Sequence, residues 1–158
     1  MAIEIRPYRA DDREALKQIT AEAFPAASID KLIEDRYGER HGTPWWQRKC
    51  AQIDADCDAN PDGIFVACDD SGAIVAYITT RLVAETRMGW IPNLAVTPAC
   101  QGHGIGRRLL EQALAYFRAA GMTTAKIETL ATNEVGNHLY PSLGFEELVR
   151  QVHFVMEL

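Results

Sequence analysis

The 158-residue chain contains no apolar run near the ~20 residues that a membrane-crossing helix needs, so a membrane span is not expected. Its four cysteines, Cys50, Cys57, Cys68 and Cys100, include no Cys-x-x-Cys pair. That spacing supports no zinc site, and a chain of this size needs no disulfide scaffold; no metal is expected, and reduced thiols in a cytoplasm are the default. Basic residues are in the minority, 16 against 22 acidic ones for a net charge of -6, which argues against a nucleic-acid partner. The opening Met1-Ala2-Ile3-Glu4-Ile5-Arg6 alternates apolar and charged residues and does not read as a signal peptide. No repeat, linker or low-complexity stretch divides the chain, so residues 1–158 are expected to form a single domain.

What is present is a succession of short patterned segments. Residues 3–8 alternate as a strand. Asp11 or Asp12 can cap a helix with Leu16, Ile19, Thr20 and Ala23 inside, and Ser28 opens a second with Ile29, Leu32, Ile33 and Tyr37 on one side. Thr43-Pro44 starts a third, on which Trp46, Cys50, Ile53 and Cys57 form one apolar stripe. Residues 64–96 read as three antiparallel strands, with a hairpin loop at Asp69-Asp70-Ser71-Gly72 and a turn near Glu85. A helix over 105–119 follows, with Gly121 in the left-handed position beyond its end, then a strand over Ala125–Leu130 parallel to 90–96. Asn133 caps a helix through Tyr140, and Glu147–Val149 with Val152–Met156 read as a closing strand pair. The order implies an α+β domain around one mixed, mostly antiparallel sheet of about seven strands.

The stretch with chemical content is Gln101-Gly102-His103-Gly104-Ile105-Gly106, followed by Arg107 and Arg108, between a strand and a helix start. The first N–H groups of a helix lack partners and carry the positive end of its dipole, so they attract anions. Glycine lets the backbone approach a phosphate closely and take positive φ. Cations at a helix N-terminus are disfavoured by roughly 0.3–1 kcal/mol, so two arginines there suggest an anion between them, unless they are simply solvated. A P-loop is excluded because no Gly-Lys-Ser/Thr follows. A dinucleotide fingerprint is excluded because Gly104 and Gly106 are two apart with arginine at 107.

The pattern resembles the GNAT superfamily of N-acetyltransferases, whose central signature Gln/Arg-x-x-Gly-x-Gly/Ala is met by Gln101, Gly104 and Gly106. Leu94-Ala95-Val96-Thr97-Pro98 precedes it at the family's distance, and Asn133, Tyr140 and Leu143-Gly144-Phe145 match a second signature. Ile5-Arg6-Pro7-Tyr8 with Asp11-Asp12 is similar to a common family start. The resemblance implies a three-layer α/β/α arrangement with the central parallel pair splayed apart, and acetyl-CoA as cosubstrate. Its pyrophosphate would rest on backbone N–H groups of Gly102, His103, Gly104, Ile105, Gly106 and Arg107. Its pantetheine arm would pair with Leu94, Ala95 and Val96, near Asn133 and Asn137. Pro92, which removes a ladder donor, belongs at an edge or bulge and fits such a splay.

The implied reaction is attack of a primary amine on the thioester by direct transfer in a ternary complex. Tyr140 would protonate the departing thiolate and Glu128 would serve as base; the other reading of Glu128 is a surface pair with Lys126. Backbone N–H groups at Leu94–Val96 would stabilise the oxyanion. Gly136 stands where the family often has alanine, and Pro141 where it often has glutamate, which unsettles the aim of Tyr140. The acceptor, a small-molecule or protein amine, would be bound by residues 24–46 and 83–90, where Asp30, Glu34, Tyr37, His41, Trp45 and Trp46 are available. A homodimer through Val149–Met156 stays open. The alternative function is a catalytically silent acyl-CoA sensor or partner module; an unrelated nucleotide-binding domain is a third reading.

Overall fold

A computed structural model describes residues 2–158 of the chain. Five strands form one sheet in the order β1-β2-β3-β4-β5: β1 Glu4–Pro7, β2 Phe65–Cys68, β3 Ile74–Val83, β4 Met88–Val96 and β5 Thr124–Ile127. The first four pair antiparallel and β4 pairs parallel with β5. Helices α1 Arg13–Ala23, α2 Ile29–Tyr37 and α3 Trp45–Ala59 come between β1 and β2. Helix α4, Ile105–Ala119, makes the crossover from β4 to β5, and α5, Glu134–Ser142, follows β5.

Two apolar layers fix the sandwich. On one face, Ile105, Leu109, Leu110, Ala113 and Phe117 of α4 close over Phe65, Ala67, Ala76, Ile78 and Ile91. These α4 positions recur at helical spacing, so one stripe is buried along the whole element. On the other face, Leu16 and Ile19 of α1 and Ile53 and Cys57 of α3 cover Val66, Tyr77 and Ala95. Tyr77 is fully buried, and its phenol oxygen lies 2.6 Å from the Thr20 hydroxyl. The α1 start is anchored by Asp12, whose carboxylate accepts two Arg6 guanidinium hydrogen bonds (2.7 and 2.9 Å) and the Arg9 N–H.

The sheet departs from regularity at Ala67/Cys68, where the β2–β3 register shifts by one residue, and more consequentially between β3 and β4. Thr79 pairs with Asn93, yet Arg81 pairs with Trp90, so two steps along β3 match three along β4. The extra residue makes a β-bulge at Ile91–Pro92, where a missing N–H costs no ladder bond. It also exchanges the faces of β4. Ile91 packs under α4, whereas Asn93 and Ala95 turn to the α1/α3 face, and Leu94 and Val96 turn to α4. Pairing with β5 ends at the same level, at Ile91↔Ile127.

Three expectations are corrected. The sheet has five strands among the described residues, not about seven: residues 146–158 adopt no strand. Val152, Phe154 and Met156 alternate as a strand would, but alternation needs a partner edge. This segment instead meets the end of α2 and the loop after it: the Tyr37 hydroxyl donates to Val155 O (3.4 Å) and Arg40 pairs with Glu157 (3.2 Å). β5 ends at Ile127 rather than Leu130, because β4 bends away there. On α3 it is Trp45 that is buried, its N–H donated to Glu34 Oε2 (2.7 Å), while Trp46 faces outward.

A buried carboxylate clamps the bulge. Asp56 of α3, 3% exposed, accepts from Arg81 Nε and Nη2 (2.9 and 2.7 Å), Thr79 Oγ1 (2.8 Å) and Asn93 Nδ2 (2.8 Å). Asp56→Ala leaves an arginine and two polar side chains unmatched under a helix. Because Arg81 is partly solvated, the expected loss is near the low end for broken buried pairs, about 3 kcal/mol. Urea denaturation should therefore show a clearly lowered midpoint with an unchanged slope.

Candidate active site

The glycine-rich loop sits at the C-terminal end of β4. Gly102 and Gly104 take φ of 78° and 75°, a region that side-chain-bearing residues seldom adopt, and Gly104 caps α4. Residues 101–104 are exposed, and no side chain caps the α4 N–H groups. The loop is held from within. Gln101 Nε2 donates to Val96 O (3.1 Å), and His103 Nδ1 lies 2.9 Å from Gln101 O, where only its N–H form can bond. Arg108 reaches Ile3 O (3.0 Å), away from the loop, whereas Arg107 donates to Ser142 Oγ (2.5 Å) and ties α4 to the end of α5.

Beside the loop, β4 presents an edge that no strand among the described residues pairs, on which Val96 O already accepts from Gln101 Nε2. Thr97 donates its N–H to Val75 O (2.9 Å). Antiparallel alternation then directs the main-chain groups of Ala95 and Asn93 toward β3, and those of Val96 and Leu94 toward the opposite edge. Beyond Ile127 no strand covers that edge among the described residues. The edge, about three residues long, connects the bulge with the α4 N-terminus. Gly106 opens onto it: an added Cβ would lie 3.9 Å from both Leu94 and Val96, and 3.6 Å from Leu139.

Tyr140 comes from α5 and joins the apolar cluster that also takes in Leu94, Val96, Leu139 and Phe145. Its ring meets Phe145 edge-to-face at 6.2 Å. Burial pushes its phenol above the ordinary tyrosine pKa, with no hydrogen bond opposing the shift. Gly136 lies one turn earlier on α5. A Cβ there would come within 2.9 Å of the Tyr140 ring and 2.8 Å of Asn133 Nδ2, so its bareness lets the ring lie flat along the helix. Asn133 caps α5 by accepting from Gly136 N (3.3 Å) and donates to Thr129 Oγ1 (2.8 Å); Asn137 Nδ2 donates to Ala131 O (2.8 Å). Both asparagines thus fix the turn from β5 into α5.

Glu128 stands one residue past the last β4–β5 pair, at the mouth of the splay. It is solvent-exposed; Oε1 lies 2.8 Å from Lys126 Nζ, and Oε2 accepts from Trp90 Nε1 (3.1 Å). The carboxylates expected to receive a cationic acceptor are committed elsewhere: Asp30 and Glu34 both pair with Arg48. Tyr37 is flanked by Arg36 and Arg40, each 5.6 Å from its ring. His41 lies exposed in the loop after α2, at a φ of 51°. A shallow hollow of about 600 Å3 lined by Pro7, Tyr8, Arg13 and Cys57 lies at the β1 edge, and its arginine is already paired with Asp54 and Asp58. No group of three or more His, Cys, Asp or Glu side chains among the described residues could hold a metal.

Sequence reasoning missed Asp56, Arg81, Trp90 and Asn93. Asp56 was detectable as a carboxylate three residues after Ile53, on a stripe that is otherwise apolar. Asn93 retains a buried carbonyl oxygen, Oδ1, without a hydrogen-bond partner, an unusual cost next to the bulge.

This geometry, a mixed sheet parted at a bulge beside an anion-attracting helix start, belongs to a recognised class. The family model described as "Acetyltransferase (GNAT) family" matches residues 15–145. The chain belongs to that family. A mycothiol acetyltransferase of Segniliparus rotundus is 28% identical over 164 residues, covering 97% of this chain and 55% of the relative. The chain spans about half the length of the curated relatives it matches. Among solved structures, the PaiA N-acetyltransferase of Thermoplasma acidophilum in complex with coenzyme A aligns with a TM-score of 0.72 at 20% identity, over 92% of this chain and 91% of that one. A GNAT family acetyltransferase of Brucella melitensis in complex with acetyl-CoA aligns with a TM-score of 0.65 at 25% identity, over 92% and 84%.

The Gly136 contact is testable. Alanine favours a helix over glycine by about 1 kcal/mol, which offsets the crowding of the Tyr140 ring and the Asn133 cap, so Gly136→Ala should change stability little. It should nonetheless displace the Tyr140 ring from Phe145. The checks are an unchanged denaturation midpoint together with lost ring-to-ring NOE contacts between residues 140 and 145.

Proposed function

We propose that the protein is an acetyl-CoA-dependent N-acetyltransferase that moves an acetyl group directly to a primary amine in a ternary complex, with residues 1–158 acting as one domain. The observation that carries the reading is the β4 edge left without a strand partner. It runs from the bulge to the α4 N-terminus and passes the cluster that holds Tyr140. The solved relatives bound to coenzyme A and acetyl-CoA support the choice of cosubstrate.

In this reading the diphosphate rests on N–H groups from Gly102 to Arg107, where the helix dipole and positive-φ glycines favour an anion. The pantetheine amides pair with the edge groups of Leu94 and Val96, with Asn133 and Asn137 holding the neighbouring turn. An amine near pKa 10.4 arrives protonated and must lose a proton before it attacks. Glu128 Oε1 collects that proton, directly or through water. Nitrogen bonds to the thioester carbon, the oxyanion draws on the N–H groups of the edge, and the C–S bond breaks. Tyr140 protonates the sulfur; its raised pKa keeps the phenol in its acid form across the neutral range.

The acceptor class is a small-molecule or protein amine. The Segniliparus relative, named a mycothiol acetyltransferase, supports the small-molecule side. One copy carries every group invoked, and a dimer through the C-terminal segment adds none of them.

The test is release of free thiol from acetyl-CoA across a panel of amines, alongside coenzyme A binding by calorimetry. Amine-dependent release is expected; binding without release would assign the silent-module function instead. Tyr140→Phe should lower kcat by about 10²–10³-fold with coenzyme A affinity retained. The alkaline limb of the wild-type kcat profile should lie above pH ~10, because the acid form survives until the raised pKa is passed, and it should vanish in the variant. An unchanged kcat in Tyr140→Phe overturns the assignment of the acid.

A further inference from the structure

At the mouth of the splay, one lysine occupies a small cation site. Trp90 and Lys126 are register partners across the last paired rows of β4 and β5. The Lys126 ammonium lies 5.4 Å from the centre of the Trp90 ring and 2.8 Å from Glu128 Oε1. The Trp90 indole N–H holds the other carboxylate oxygen at 3.1 Å. An aromatic face beside a carboxylate that is pinned at one oxygen is the chemistry that binds an alkylammonium. The group in it belongs to a side chain that is about half exposed, with its carboxylate partner at 60%.

We propose that Lys126 is an internal stand-in for the acceptor: the ammonium of the substrate displaces it from the Trp90–Glu128 cradle before transfer. This rests on the acetyltransferase reading above and specifies how that site selects its amine. Exposed ion pairs of this kind contribute little to stability, so the exchange of one ammonium for another is nearly neutral. The four-carbon stem of Lys126 lets its head swing into solvent, whereas the indole and carboxylate remain fixed to each other. The exchange also brings the substrate nitrogen directly to Oε1, so the carboxylate that binds the ammonium is the one that accepts its proton. Uncharged amine analogues gain nothing over Lys126 and are rejected. The carboxylates of α2, tied to Arg48, do not compete for the substrate cation.

The experiment uses the full chain saturated with coenzyme A and follows the Trp90 indole N–H resonance during titration with methylammonium chloride. Lys126→Met keeps length and packing but removes the competing charge, and Lys126→Gln serves as a second variant. Methylammonium should bind either variant about tenfold more tightly than the wild type, and sodium chloride at equal ionic strength should leave the resonance in place. For the best acceptor in the amine panel, KM should fall by the same factor while kcat stays within about threefold. Equal or weaker methylammonium binding in both variants overturns the proposal, as does an equal response to sodium. Cofactor binding at the β4 edge is followed separately, on the backbone resonances of Leu94 and Val96 during coenzyme A addition. A failure there leaves the methylammonium result readable.

Discussion

One extra residue in β4 is the constraint on which the rest depends. Without it, β4 would continue in register between β3 and β5, and the main-chain groups of Leu94 and Val96 would be consumed by a neighbour. With it, the strand bends at Ile91–Pro92, exchanges its faces and leaves β5 after four paired residues. A bulge is a weak point in a ladder, and Pro92 contributes only by omission, since it has no N–H to lose. The positive hold comes from the α3 side, where Asp56 gathers Thr79 and Arg81 from β3 and Asn93 from β4 on the two oxygens of one buried carboxylate. The irregularity is thus clamped from both flanks by a single side chain of α3.

The second layer of organisation is electrostatic and local. The α4 N-terminus needs nothing distant to attract an anion, because its unpaired N–H groups and the positive φ of Gly102 and Gly104 arise from the loop itself. What distance supplies is alignment. Gln101 binds the loop back to Val96, and Arg107 joins the first turn of α4 to Ser142 at the end of α5. The helix that carries Tyr140 is therefore indexed to the same turn as the loop, and both are indexed to the end of β4.

The sequence was most legible where a feature is set by neighbouring residues. The α4 limits at Ile105 and Ala119, the caps at Ser28 and Asn133 and the left-handed Gly121 all follow from short-range rules, and all are found. It was least legible where distant segments decide. Val152, Phe154 and Met156 alternate as a strand would, but pairing is a property of two segments, and theirs runs past α2 instead. Trp45 and Trp46 are chemically identical neighbours; Trp45 turns inward where α2 packs on the start of α3, its backbone N–H donated to Glu34, eleven residues earlier. Asp56 drew no notice in the sequence because the polar partners that make its burial affordable lie on β3 and β4, more than twenty residues ahead. Asp30 and Glu34 looked available to a cation for the converse reason: Arg48, their partner, belongs to the next helix.

The two residues proposed to handle protons lie in opposite environments, and the difference has chemical sense. A phenol that must stay protonated until a thiolate forms benefits from partial desolvation, and the half-buried Tyr140, packed against Phe145, has its pKa raised by burial alone. A carboxylate that must receive a charged amine from water and pass its proton back cannot be dry, because an unpaired buried carboxylate would neutralise itself before the substrate arrived. Glu128 stands exposed at the rim, held at one oxygen by the Trp90 indole and paired at the other with the Lys126 ammonium. An acid sheltered by α5 and a base wetted at the end of β5 can face one thioester only if the strands between them part, and they part because β4 has one residue in excess.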